Sequence, residues 1–198
     1  SQARRVADLA LHLLDLSRSD VGCMDVVDLK SLVDRVLALR EYQFKRRSIT
    51  IIRSYAEDLP RVELMPELIE QVLLNLINNS VQAMAEPGTL EIRLTLDEEA
   101  GQVSLSVRDT GYGIPTEALP HIFDPFFTTK ARGQGTGLGL YVSRHIVERH
   151  GGTMKAHSEV GVGTTISFSL PVVQPQAGVE LAHDPINETM ADGPVSLT

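Results

Sequence analysis

Two short runs in the middle of this chain alternate apolar and polar residues, and they constrain the fold more than any other segment. Leu90, Ile92, Leu94 and Leu96 fall on one side of the first run, and Val103, Leu105 and Val107 fall on one side of the second. Residues 98–101 turn the chain between them. Successive side chains of a strand point to opposite faces, so this pattern predicts an antiparallel hairpin with one buried face. Such a face needs a second layer to cover it.

The covering layer is visible on either side. A helix is expected from Asp28, a candidate N-cap, over residues 29–46, with Leu32, Val33, Val36, Leu37 and Leu39 or Arg40 on its buried side. Residues 49–55 read as a strand, and Asp58-Leu59-Pro60 as a turn. Pro66 opens a strongly apolar helix expected to reach residue 86, ended by Pro87-Gly88. A further helix is expected over 137–150, stopped by Gly151-Gly152. Two strands follow, carrying Met154 with Ala156 and then Ile166, Phe168 and Leu170. The order predicts a two-layer α/β sandwich, one antiparallel or mixed sheet with helices on one face.

The ends read differently. In residues 1–17, Val6, Leu9, Leu13 and Leu16 form a seam of barely two heptads, which needs a partner helix to be stable. The chain opens inside that pattern, as a piece of something longer would. Residues 174–198 hold three prolines, four acids and no Lys or Arg, the composition of a disordered tail. The expected division is 1–20 helix, 21–27 connector, 28–172 main domain and 173–198 tail.

Composition narrows the function. With 198 residues, 42% of them apolar, the chain can build one ordinary core plus extensions. A net charge of −8 argues against non-specific nucleic-acid binding, and any polyanionic ligand must be held by local features. The single cysteine, Cys23, permits no internal disulfide and reads as a small hydrophobe in a reducing compartment. There is neither an 18-residue apolar window nor a signal-peptide pattern, so no membrane contact is expected.

Four segments carry candidate chemistry. Asn75, Asn78, Asn79 and Gln82 interrupt the apolar helix, with Asn75/Asn79 and Asn78/Gln82 each four apart and so on one side. They are either a solvated face or amide network, or a rim for a ligand or hydrated Mg²⁺, which needs few protein oxygens. Asp109-Thr110-Gly111-Tyr112-Gly113-Ile114 follows a strand directly. It is either an ordinary turn or a close-approach loop whose aspartate accepts from a ligand amine. Phe123-Asp124-Pro125-Phe126-Phe127-Thr128-Thr129-Lys130 offers three aromatic anchors and a positive charge, with Arg132 nearby. Gly133, Gly135, Gly137 and Gly139 alternate into a helix start, where backbone N–H groups make an anion site and the glycines a mobile lid. This is neither a Walker A loop nor Gly-x-Gly-x-x-Gly.

In order, these segments and the Gly161–Thr164 turn resemble the catalytic ATP-binding domain of two-component sensor histidine kinases, which has the Bergerat fold. The match covers roughly residues 62–171. The Gln82-Ala83-Met84 and Phe126-Phe127-Thr128-Thr129-Lys130 variants resemble the nitrogen-regulator type. The resemblance implies roles. Asn79 would hold the Mg²⁺ that bridges the ATP phosphates, supported by Asn75. Asp109 would accept the adenine amine, and Gly111, Gly113, Ile114, Leu140 and Thr164 would shape the adenine pocket. Lys130, beside Thr129, would reach the terminal phosphate and act in catalysis with Asn75. Gly135, Thr136, Gly137, Leu138 and Gly139 would cradle phosphates as the lid closes. Positioning and charge stabilisation are most of what phosphoryl transfer requires.

The same resemblance makes residues 1–20 the second helix of an incomplete dimerisation hairpin. None of the six histidines stands as His-Glu or His-Asp in a helical pattern; His183-Asp184 is followed by Pro185. The phosphoacceptor is therefore expected on an absent helix, and self-phosphorylation is not expected. The implied partners are that helix, a response-regulator receiver domain and a second copy in a full-length homodimer. The implied location is cytoplasmic, in a soluble protein or the inner part of a membrane sensor. Two other readings share the fold. Hydrolases of this superfamily place a glutamate where Asn75 stands, to activate water, and a degenerate kinase would bind nucleotide as a scaffold. Where the family has an aspartate cap before the Pro66 helix, this chain has Met65.

Overall fold

A computed structural model describes residues 23–172 apart from Glu86 and residues 131–134. The expected helix at 1–17, the tail, Arg132 and the start of the second glycine segment at Gly133 lie outside the described residues.

The elements are β1 (Asp25–Val27), α1 (Leu29–Arg46), β2 (Ile49–Tyr55), β3 (Val62–Leu64), α2 (Pro66–Ala83), β4 (Gly88–Asp97), β5 (Gln102–Asp109), α3 (Gly139–Arg149), β6 (Thr153–Glu159) and β7 (Gly163–Pro171), with a 3₁₀ turn at Leu119–His121. Five strands form one mixed sheet in the order β2-β4-β5-β7-β6. β2 runs parallel to β4, and the other pairs are antiparallel.

The alternation sets the register. Ile92 pairs with Val107 and Leu94 with Leu105, while across the next ladder Val107 meets Ile166 and Leu105 meets Phe168. All of these are buried, whereas Arg93, Thr95 and Arg108 between them are exposed. Helices cover the buried face. α2 lays Ile69, Val72, Leu73, Leu76, Ile77 and Val81 into the core at steps of three, one and four. α1 adds Leu29, Leu32, Val33, Val36, Leu37 and Phe44. Asp28 caps α1, its Oδ1 accepting the Lys30 N–H at 3.0 Å.

The structure departs from expectation in a few places. Leu39 is 72% exposed, and Phe44 a turn later is buried instead. Cys23 is exposed and does not pack as a core residue. Residues 25–27, expected as connector, pair antiparallel with β3 in a small second sheet; three residues are too few to display an alternation. α2 ends at Ala83, where the Met84 N–H closes the last turn on Ser80 and the Ala83 carbonyl accepts from Tyr112. α3 begins at Gly139 rather than Gly137.

Candidate functional site

The core-facing stripe of β5 runs Val103, Leu105, Val107 and then Asp109, so the period of the strand delivers a carboxylate where the next apolar residue would stand. Asp109 is only 3% exposed. Its Oδ1 accepts the Gly111 N–H at 2.9 Å and the Thr164 N–H at 3.2 Å, with Thr164 lying directly across the ladder on β7. Burial raises its pKa above the usual 3.8, opposed by those hydrogen bonds and one from Ser80. A buried carboxylate with Oδ1 committed to backbone is a fixed acceptor for one more donor.

The wall beside it is tied by one hydroxyl. Ser158 Oγ accepts the Ile114 N–H at 2.8 Å, donates to the Gly163 carbonyl and meets Thr164 Oγ1 at 2.8 Å. It joins the loop after β5 to the β6–β7 turn. Sequence reading missed Ser158, because a lone serine on a strand carries no signal of its own.

α2 supplies the opposite side. Lys130 Nζ donates to Asn79 Oδ1 at 3.0 Å and to Gln82 Oε1. An ammonium only donates, so both amide oxygens face it. Asn79 Nδ2 therefore turns to Asn75 Oδ1 at 3.5 Å, and Asn75 Nδ2 donates to Ser143 Oγ on α3 at 2.8 Å. One polar chain thus runs from Lys130 across α2 to α3. Burial lowers the Lys130 pKa below its usual 10.5.

α3 starts beside this chain without a side-chain cap. Its first N–H groups are the orphan donors that bind anions at helix ends. Gly139 permits the approach, since a Cβ there would collide with Asn75 Oδ1. Gly137, at φ +67°, presses its Cα against the Phe126 backbone and accepts the Phe126 N–H at 2.9 Å. Phe126 itself has φ +65° and is 38% exposed, so of the three expected anchors only Phe123 and Phe127 are partly buried.

A cavity of about 350 Å³ lies between these parts. It is lined by Asn75, Asn79, Asp109, Gly113, Ile114, Thr129, Lys130, Gly135, Thr136, Gly137, Gly139, Leu140 and Thr164, together with Tyr112, Ile122 and Phe127. Gly111 and Leu138 are not among its lining residues. Gly111 acts one step back, through its N–H to Asp109, and Leu138 gives its N–H to Thr136 Oγ1 at 3.4 Å. A cation would find Asn79 Oδ1 already presented to positive charge, with Lys130 as the stand-in. Among the described residues no group of three or more His, Cys, Asp or Glu could hold a metal, so any ion here would lean on that amide and on ligand oxygens.

Residues 65–174 match the family described as histidine kinase-, DNA gyrase B-, and HSP90-like ATPase. The chain is 38% identical over 171 residues to the sensor histidine kinase ZraS of Escherichia coli strain K12, covering 86% of this chain and 36% of that protein. It therefore spans little more than a third of that relative. Among solved structures it is similar to the nucleotide-free catalytic domain of the histidine kinase ThkA, at 34% identity and TM-score 0.67, covering 75% of this chain and 95% of that one. It is also similar to ThkA solved in complex with the response regulator protein TrrA, at 29% identity and TM-score 0.67, covering 86% of this chain and 48% of that one.

Proposed function

We propose, since this chain belongs to the histidine kinase-, DNA gyrase B-, and HSP90-like ATPase family, that its cavity binds ATP and presents the terminal phosphate to a histidine on a separate helix. The observation that carries this reading is one cavity with three ends. A buried carboxylate stands at the first, an uncapped helix N-terminus at the second, and a lysine on an amide oxygen at the third.

Asp109 accepts the adenine amine, with Ile114, Leu140 and Thr164 shaping the pocket around the ring. The first N–H groups of α3 and the glycines before it meet the phosphates. Lys130 offsets the charge that builds on the terminal phosphoryl group. Asn79 Oδ1 is the protein ligand for Mg²⁺, which when bound neutralises phosphate charge. Asn75 positions Asn79 and α3 through its two hydrogen bonds.

Asn75 also argues against the hydrolase reading. It stands four residues before Asn79, where a glutamate would activate water. Instead it offers a neutral amide committed to Ser143 and Asn79, and so no general base. Further partners follow from the same reading: a response-regulator receiver domain, the acceptor helix and a second kinase copy, in the cytoplasm. Among the described residues no helix is long and apolar enough to cross a membrane.

The test is calorimetric titration of ATP with and without Mg²⁺, followed by incubation with a separate acceptor hairpin. Magnesium-sensitive binding and acid-labile label on the hairpin but not on this chain are expected. No binding, or robust self-labelling, would overturn the reading.

A further inference from the structure

Asn79 Oδ1, the oxygen proposed for magnesium, accepts from the Lys130 ammonium at 3.0 Å. Gln82 Oε1 accepts from the same ammonium. A divalent ion cannot take that oxygen while a positive charge sits on it, because two cations on one amide repel in a half-buried pocket. Lys130 must therefore move before the metal can bind.

What holds the lysine is informative. Among the described residues lining the cavity the only carboxylate is Asp109, and it is committed to the Gly111 and Thr164 backbone. Lys130 is thus held by two neutral amides. These satisfy its charge without the grip of an ion pair, so it is poised for release. Lys130 is partly buried in the cavity wall, where a free ammonium is poorly solvated. Leaving Asn79 is costly unless another anionic oxygen within reach receives the charge.

We propose that Lys130 is the resident cation of the metal site, and that its handover from Asn79 to a terminal phosphate makes the cavity select triphosphate over diphosphate. This rests on the nucleotide reading above. A magnesium–triphosphate ligand displaces Lys130 and receives it. A magnesium–diphosphate ligand displaces it and offers no equivalent acceptor, so the spent nucleotide binds more weakly and leaves.

The test is calorimetric titration of Mg·ATP, Mg·ADP and metal-free ADP into wild type, Lys130→Met, Gln82→Ala and Asp109→Asn, each checked for native circular dichroism. Lys130→Met should weaken Mg·ATP by about tenfold and tighten Mg·ADP by about three- to tenfold, the scale of one charge-assisted hydrogen bond lost or spared. Opposite signs for the two nucleotides are the signature, because loss of a simple phosphate contact weakens Mg·ATP and leaves Mg·ADP unchanged or weaker. Metal-free ADP should show no tightening. Gln82→Ala, which loosens the lysine without removing it, should tighten Mg·ADP by a smaller factor and leave Mg·ATP no weaker.

Mg·ADP binding that is unchanged or weaker in Lys130→Met overturns the proposal. So does a tightening that persists without magnesium. Asp109→Asn separates the two levels. If wild type binds both nucleotides and Asp109→Asn loses both, the nucleotide site stands whichever way the Lys130 result falls. A wild type that binds neither nucleotide removes both claims.

Discussion

The floor of the cavity and its front are built on different principles. The floor is β5, β7 and α2, where each functional group sits at a position fixed by a regular period. Asp109 occupies the next step of an apolar stripe, and Asn75 and Asn79 are one helical turn apart above Leu76 and Ile77. The front, residues 112–130 and 135–139, has little regular structure. It is shaped by backbone contacts that only particular residues permit, as where Gly137 meets Phe126. A period is over-determined by a whole core, whereas a glycine contact is determined by one residue. A substitution of a cavity residue in the floor should therefore change stability as well as binding, and one in the front should change binding alone.

The largest effect is expected on the floor. Asp109→Asn keeps an oxygen for the Gly111 and Thr164 N–H groups but replaces the other oxygen with a donor. Nucleotide affinity should fall by about 100-fold, roughly 2.7 kcal/mol, by calorimetry. Stability should move the other way. The folded pKa of Asp109 is raised, so the folded state holds its proton longer than the unfolded chain does. Its contribution to stability is therefore lost as pH rises from the usual 3.8 through the raised value. Urea denaturation should find Asp109→Asn gaining on wild type between pH 4 and pH 7. A mutant that loses stability relative to wild type over that interval would mean that the carboxylate stabilises the fold.

Gly137→Ala tests the front. Alanine at φ +67° is strained, and its Cβ would collide with the Phe126 backbone. ATP affinity should fall by about tenfold to thirtyfold while the urea midpoint stays near wild type. A cooperative loss of stability of the same size would show that the front is part of the core after all, and the contrast would fail.

This contrast also explains what the sequence disclosed. The β4–β5 hairpin, β6 and β7 and the Asn75/Asn79 face are periodic, and each is readable from spacing alone. Asp109 and Lys130 stand out because a charge sits beside apolar or glycine-rich runs. Ser158, the β1–β3 pairing and the Asn75–Ser143 bond depend on neighbours far along the chain, 68 residues in the last case. No local pattern encodes such a partner. Composition alone makes Phe123, Phe126 and Phe127 three equal anchors, because it cannot reveal that Phe126 has left-handed backbone and is 38% exposed.

His150 offers a smaller perturbation, applied behind the floor. It is 4% exposed, with Nδ1 donating to the Ile146 carbonyl at 2.7 Å and Nε2 accepting the Met65 N–H at 3.0 Å. It fastens the start of α2 to the end of α3 from the far side of the Asn75–Ser143 bond. His150→Ala orphans a backbone donor and opens a small void. It should cost about 1–3 kcal/mol in urea denaturation. Nucleotide affinity should fall by less than threefold, because Asn75 still ties the two helices near the cavity. A larger loss of affinity would mean that the floor is held rigid from behind and not by its own polar chain.

The smallest effect adds stability. Met65 occupies the N-cap of α2 in extended conformation, with no side-chain hydrogen bond to the first turn. The backbone geometry an aspartate cap requires is therefore already present. Its oxygen could accept a first-turn N–H, and its charge would favour the helix N-terminus. Met65 is half-buried, so losing its apolar contact offsets part of the gain, and the net should be about 0.5 kcal/mol in favour of Met65→Asp. Nucleotide affinity should not change, because Asn75 and Asn79 lie three and four turns further along a helix already pinned by Leu73, Leu76 and Ile77. If strengthening that distant end also tightens ATP binding, α2 frays in the free protein. The cavity floor would then be a mobile element like the front, and the difference between them would be one of degree.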